Sequence, residues 1–80
     1  MIKKDYIMEQ IELLKADEEE QRMKAEIQRA MSEIYTKYGR SDKARSRRKM
    51  ARGHEGEADS IQEEIERLEA ELEEQEFKAM

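Results

Sequence analysis

The feature that most limits how this chain can fold is a spacing in its C-terminal third. Ala58, Ile61, Ile65, Leu68, Leu72, Gln75 and Ala79 follow one another at alternating steps of three and four residues. That interval lines side chains along one side of a supercoiled helix. Only Gln75 interrupts its apolar character. No proline occurs in the 80 residues, and Ala, Glu, Lys, Leu and Arg supply 45 of them, the composition of long helices and coiled coils. Ser60 followed by Glu63 reads as a capping box, with Asp59 as a competing cap. The pattern predicts a helix over 57–78.

A second seam lies upstream, through Met23, Ile27, Ala30 and Ile34, widened by Met31 and Tyr38. Asp17 with Glu20 has the form of another capping box, and Gly39 stands where a glycine C-cap is expected. Nearer the N-terminus the pattern changes. At 100° per residue Ile7, Ile11 and Leu14 lie almost opposite the Ile27 face, whereas Ile2, Tyr6 and Leu13 continue it. Nothing in Lys15-Ala16-Asp17-Glu18 breaks a helix, so one continuous helix over 5–38 with two apolar stripes is expected, in preference to a break near Ala16-Asp17.

Folded back on each other, the two seams share a register. Ile34 meets Ile61, Ala30 meets Ile65, Ile27 meets Leu68 and Met23 meets Leu72, while Glu20 falls beside Gln75 and Ala16 beside Ala79. The predicted fold is therefore all-α: an antiparallel two-helix coiled-coil hairpin, a single domain over 1–80, with 39–56 as a short basic helix or loop at its tip and Ser41 as a cap. Glu64, Glu69, Glu71 and Glu76 beside the C-terminal seam oppose pairing of that helix with itself, and Lys24 and Met31 flank the seam of helix 1. Ile7, Met8, Ile11 and Leu14 are then left over, and this stripe is expected to contact another protomer or a different protein. Ile, Leu and Phe total only 12 residues and Val is absent. A core that small calls for a second source of burial, so an oligomer is expected.

Charge is sorted along the chain. The net −5 divides into −2 over 1–39, +6 over 40–54 and −9 over 55–80. Arg40, Lys43, Arg45, Arg47, Arg48, Lys49 and Arg52 make the tip basic. Arginine-rich helices bind phosphates, which makes RNA or DNA the alternative partner. No aromatic residue is interleaved for base stacking, and the acidic neighbouring segment competes for the arm. An ion-pair role against the Glu-rich helix of the same or a neighbouring chain is the plainer expectation.

Several classes are disfavoured. There is no cysteine, a single histidine and no glycine-rich phosphate loop, so neither catalysis nor a cofactor or small-molecule substrate is expected. His54-Glu55-Gly56-Glu57-Ala58-Asp59 is the one place where imidazole and carboxylates cluster, and it reads as an acidic entry to a helix before it reads as a metal site. Ala44, Met50 and Ala51 make too small an apolar face for a membrane surface. Absence of cysteine and of an apolar stretch after Lys3-Lys4 points to a cytoplasmic setting.

The hairpin plan is similar to the coiled-coil finger of bacterial transcript-cleavage factors. That finger carries acids at its tip, where Arg45, Arg47 and Arg48 stand here, so no such activity is implied. Lys37-Tyr38-Gly39 is similar to the turn of small two-helix sporulation phosphatases, whose Ser-Gln-Glu-Leu-Asp element this chain lacks. No family is assigned. The expected role is a non-enzymatic protein-protein interaction or assembly module, with nucleic-acid binding through the tip as the alternative. A third reading is a small acidic inhibitor, for instance phage-encoded, of a host protein.

Overall fold

A computed structural model describes residues 2–79. It contains two helices, α1 (Ile2–Lys37) and α2 (Ser41–Ala79), packed antiparallel as a rod of 62 × 14 × 12 Å. At about 1.5 Å per residue the longer helix alone accounts for nearly all of that length. The all-α hairpin is thus as expected, and α1 runs unbroken through Ala16-Asp17. The tip is not. Residues 41–56, expected as a separate basic helix or loop, form the first turns of α2.

The chain reverses in three residues. Gly39 adopts φ +73°, its N–H donates to the Thr36 carbonyl (3.1 Å) and the Arg40 N–H donates to that of Tyr35 (2.8 Å). These two bonds are the paired closures of a glycine-terminated helix, and they satisfy carbonyls that would otherwise face outward unbonded. The Arg40 carbonyl accepts the first bond of α2, from Ala44 N–H at 3.0 Å. Arg40 rather than Ser41 therefore holds the cap position, and Asp42 in the first turn suits the positive end of the helix. The capping boxes read at Asp17-Glu20 and Ser60-Glu63 both lie inside helices. Such boxes mark an end only where the ladder has already stopped.

Glycine at the turn and glycine in the helix should respond oppositely to alanine. Gly39→Ala places a Cβ in a left-handed conformation and should cost about 1–2 kcal/mol. Gly53 and Gly56 sit inside α2 with open space where a Cβ would stand, so Gly56→Ala should stabilise by about 1 kcal/mol. Urea unfolding of the two variants, read by helical circular dichroism, checks both signs.

The helices close on a different face of α1 from the one expected. Ile7, Ile11 and Ile65 form the buried cluster, with Leu14, Ile61, Leu68 and Leu72 packed against it. Met23, Ile27 and Ile34, assigned to the hairpin seam with Ala30, are 57%, 55% and 55% exposed; Ala30 is exposed too. The correction is reciprocal. Ile7, Ile11 and Leu14 hold the hairpin together instead of waiting for a partner, while Met8 is exposed beside them. Of the assigned seam, the half on α2 (Ile61, Ile65, Leu68, Leu72) stands as read. The side chains of Ile2 and Ala79, and with Ala79 its expected pairing with Ala16, lie outside the described residues.

The reason lies in the steps of three and four. In α1 the positions Ile7, Ile11, Leu14, Glu18, Gln21, Ala25, Gln28, Ser32 and Tyr35 keep that spacing, and every one of them is buried or half-buried. In α2 the seam does not start at Ala58. It runs back through His54, Ala51 and Arg47 to Ala44, again all buried or half-buried. Pairing Ile34 with Ile61 would strand 41–56 as a loop, forfeiting four turns of helix. The observed pairing keeps them, because Ala44, Ala51 and Ala58 are small enough for close approach and are fully buried at 1%, 0% and 0% exposure.

The rod therefore has two halves. At the open end branched aliphatics interlock. Toward the turn the seam is alanine and polar: Gln21 Oε1 lies 2.7 Å from His54 Nδ1, Arg47 donates to Gln28 Oε1 (3.1 Å) and Arg48 donates to the Ser32 hydroxyl (3.2 Å). Among the described residues no buried side-chain polar atom lacks a partner, which is the condition for a polar seam to hold.

Candidate functional site

Three surfaces of the rod carry chemistry: the edge that joins the helices, the basic end and the back of α1. On the joining edge Lys15 pairs with Glu69 (3.8 Å), Arg22 with Asp59 (3.5 Å) and Arg29 with Glu55. Lys15, Arg22 and Arg29 are spaced by seven, so one row of α1 faces acids of α2 along much of the rod. Lys4 and Glu76 extend the pattern to the open end (3.1 Å). Lys24, expected in that role, pairs within its own helix with Glu20 (3.4 Å). The hydrogen bond that Arg22 donates to the Glu18 carboxylate at 2.8 Å, aided by the charges of Glu18 and Asp59, holds the pKa of the Arg22 guanidinium above its ordinary value. With its amide nitrogen turned inward, Gln62 also donates to Glu18, at 2.9 and 3.0 Å. Exposed pairs each contribute little to stability. Repeated along one edge, they select antiparallel order and register.

The His54-Glu55-Gly56-Glu57-Ala58-Asp59 segment is spent on this joint. His54 faces Gln21, Glu55 pairs with Arg29 and Asp59 with Arg22. It lies mid-helix, not at a helix entry. Among the described residues no three His, Asp or Glu side chains are placed to hold a metal ion. The surface hollows are open grooves, such as the shallow one between Met31, Ile34 and Tyr35. Among the described residues no helix is long and apolar enough to cross a membrane.

The basic residues of 40–52 divide by direction. Arg47 and Arg48 turn toward α1, where they bond Gln28 and Ser32. Lys43 Nζ and the Arg47 guanidinium stand 5.6 and 6.0 Å from the centre of the Tyr35 ring, within cation–π reach. Arg45, Lys49 and Arg52 lie on the outward side of α2, exposed. Among the described residues none of the seven basic side chains from Arg40 to Arg52 forms a salt bridge. A continuous α2 holds them on the same rigid helix as the Glu-rich half, so the arm cannot fold back onto its own acids. The ion-pair role expected within the chain is not realised.

Among the described residues the back of α1 holds most of the large exposed apolar side chains. Tyr6, Leu13, Met23, Ile27 and Ile34 are 60%, 55%, 57%, 55% and 55% exposed. Tyr38, 74% exposed, borders them near the turn. Ala16, Glu20, Met23, Ile27, Ala30 and Ile34 keep steps of three and four on the side away from α2. α1 thus carries two coiled-coil seams about half a turn apart, one closed by α2 and one open. The sequence marks both stripes; which of them is inward follows from the alanines of α2 and from the Lys15-Arg22-Arg29 row, two seven-residue patterns that sequence reading passed over. Comparison with known protein families, curated proteins and solved structures returns no match for this chain.

Proposed function

We propose that this hairpin is a non-enzymatic protein-protein interaction module that presents the back of α1 to another helix. The observation that carries the reading is the open seam: large apolar side chains, each more than half exposed, at coiled-coil spacing on a helix whose other seam is already closed. Scattered surface hydrophobes are ordinary, but an ordered stripe of them marks a contact surface. The assigned interface thereby moves from Ile7, Met8, Ile11 and Leu14 to Met23, Ile27, Ala30 and Ile34. The test is recovery of partners from a lysate of the source cells with Ile27→Ser, Ile34→Ser set beside the parent chain. A partner held by the parent and lost by the variant, with helicity unchanged, supports the reading. Equal recovery by both overturns it.

A second reading has its own observation, the unpaired basic face of Arg45, Lys49 and Arg52. It makes the turn end of the rod a binding surface for RNA or DNA. Affinity should then fall steeply with salt and vanish when the three are changed to glutamine. Absence of any retardation with mixed RNA and DNA at low salt would overturn it.

A further inference from the structure

The open seam has an edge that narrows what can cover it. Asp5, Glu12, Glu19, Glu26 and Glu33 recur every seven residues along one border of the stripe, all exposed. Among the described residues none of the five forms a salt bridge, although ion pairs are plentiful elsewhere on the rod. The opposite border, through Asp17, Lys24, Met31 and Tyr38, is mixed.

A second copy of the chain fits this border badly. Antiparallel pairing of two α1 seams centred near Glu26 sets acid against acid over the middle of the edge, Glu26 against its own equivalent and Glu19 against Glu33. Parallel pairing offsets partners by five positions. It gives Glu19 a lysine, Lys24, but sets Glu12 against Asp17 and brings the two basic ends side by side. The outer face of α2 in a second copy is no better. Its outward positions near the turn, Arg45, Ser46, Lys49, Arg52, Gly53 and Gly56, have the complementary charge, but among the described residues Met50 is the only large exposed apolar side chain in that stretch, too little to cover Met23, Ile27 and Ile34 together.

Resting on the reading of α1 as a docking face, we propose that its occupant is an amphipathic helix of a different protein, with Lys or Arg every seven residues along one edge of its apolar stripe. Burial of Met23, Ile27 and Ile34 supplies the attraction, and the acidic row supplies the choice of partner. Like charges along that row exclude the chain's own copies, which is how coiled coils select heterotypic pairing.

The test uses the full chain and two designed helical peptides. They share an apolar seam of leucine and isoleucine and differ only in one flanking edge, which is lysine in the first and glutamate in the second. Binding followed by fluorescence anisotropy should favour the lysine peptide by at least about tenfold at low salt. Glu19→Lys, Glu26→Lys, Glu33→Lys should reverse that preference while leaving helicity intact. Equal affinity for both peptides, each lost in Ile27→Ser, Ile34→Ser, overturns the charge-selected partner and leaves the docking face standing. No binding of either peptide by the parent chain overturns the inference together with the docking face. A parent chain that sediments as a dimer at tens of micromolar, and as a monomer after Ile27→Ser, Ile34→Ser, assigns the face to a second copy and overturns the inference.

Discussion

Ile11→Ala combined with Ile65→Ala should unfold the hairpin, whereas Ile27→Ser combined with Ile34→Ser should leave its thermal transition within a few degrees of the parent. Ile11 and Ile65 are 6% and 1% exposed and sit in one cluster. Truncating a buried isoleucine costs about 2–5 kcal/mol, the spread reflecting how far the site collapses. Two such losses are comparable with the whole stability of a small domain. Ile27 and Ile34 are more than half exposed, and surface changes of that kind usually stay within about 0.5 kcal/mol. Circular dichroism melts of the two double variants check the contrast. A hairpin closed through Ile34 and Ile61 would give the reverse order.

The second large effect is expected from added volume. Ala51→Leu with Ala58→Leu should destabilise by about 1–3 kcal/mol for each substitution. Both alanines are fully buried at 0% exposure, in the half of the rod where the seam is made of small and polar residues. A leucine there must push α1 away. That strains the hydrogen bonds of His54 with Gln21 and of Arg47 with Gln28 on either side. By hydrophobicity alone the change would stabilise a coiled coil. Urea midpoints distinguish the two: a fall is expected, and a rise would show that the alanine layers are not in close contact.

The same alanines explain how much of this fold could be read beforehand. Two helices, their antiparallel order, the end of helix 1 at Gly39 and the α2 half of the apolar seam were legible, because each rests on local or large-residue signals. The closing face of α1 was not, because the open stripe holds more large hydrophobes than the closed one. Hydrophobicity weighs Met23, Ile27 and Ile34 above Gln21, Ala25 and Ser32. What decides is continuity: only the second set lets 41–56 remain helical and meet Ala44 and Ala51 with every buried polar atom bonded. The basic residues were legible as a group but not by direction. That Arg47 and Arg48 turn inward while Arg45 and Lys49 turn outward follows from the seven-residue frame, which Gly53 and Gly56 obscured by looking like loop residues. For the candidate site the lesson is a reversal of roles. The sequence points to one stripe left over on α1; the structure closes the Ile7 face and leaves the Ile27 face open.

The closed face and the open face of α1 are tied to one register, and a single distance separates it from its rival. The chain has no cysteine, so spin labels can be placed at two introduced ones, Glu33→Cys and Glu63→Cys, both at exposed positions. Diluting with unlabelled chain removes contributions between molecules. In the structure Arg29 lies level with Glu55 and Arg22 with Asp59, so position 63 stands well down the rod from position 33. At about 1.5 Å per residue that offset is about 18–23 Å along the axis. With the width of the rod, 14 × 12 Å, and the reach of the labels added, the labels should be about 25–35 Å apart by pulsed electron resonance. A main distance below about 20 Å would place Ile34 against Ile61, and would contradict the closed Ile7 face and the open Ile27 face together.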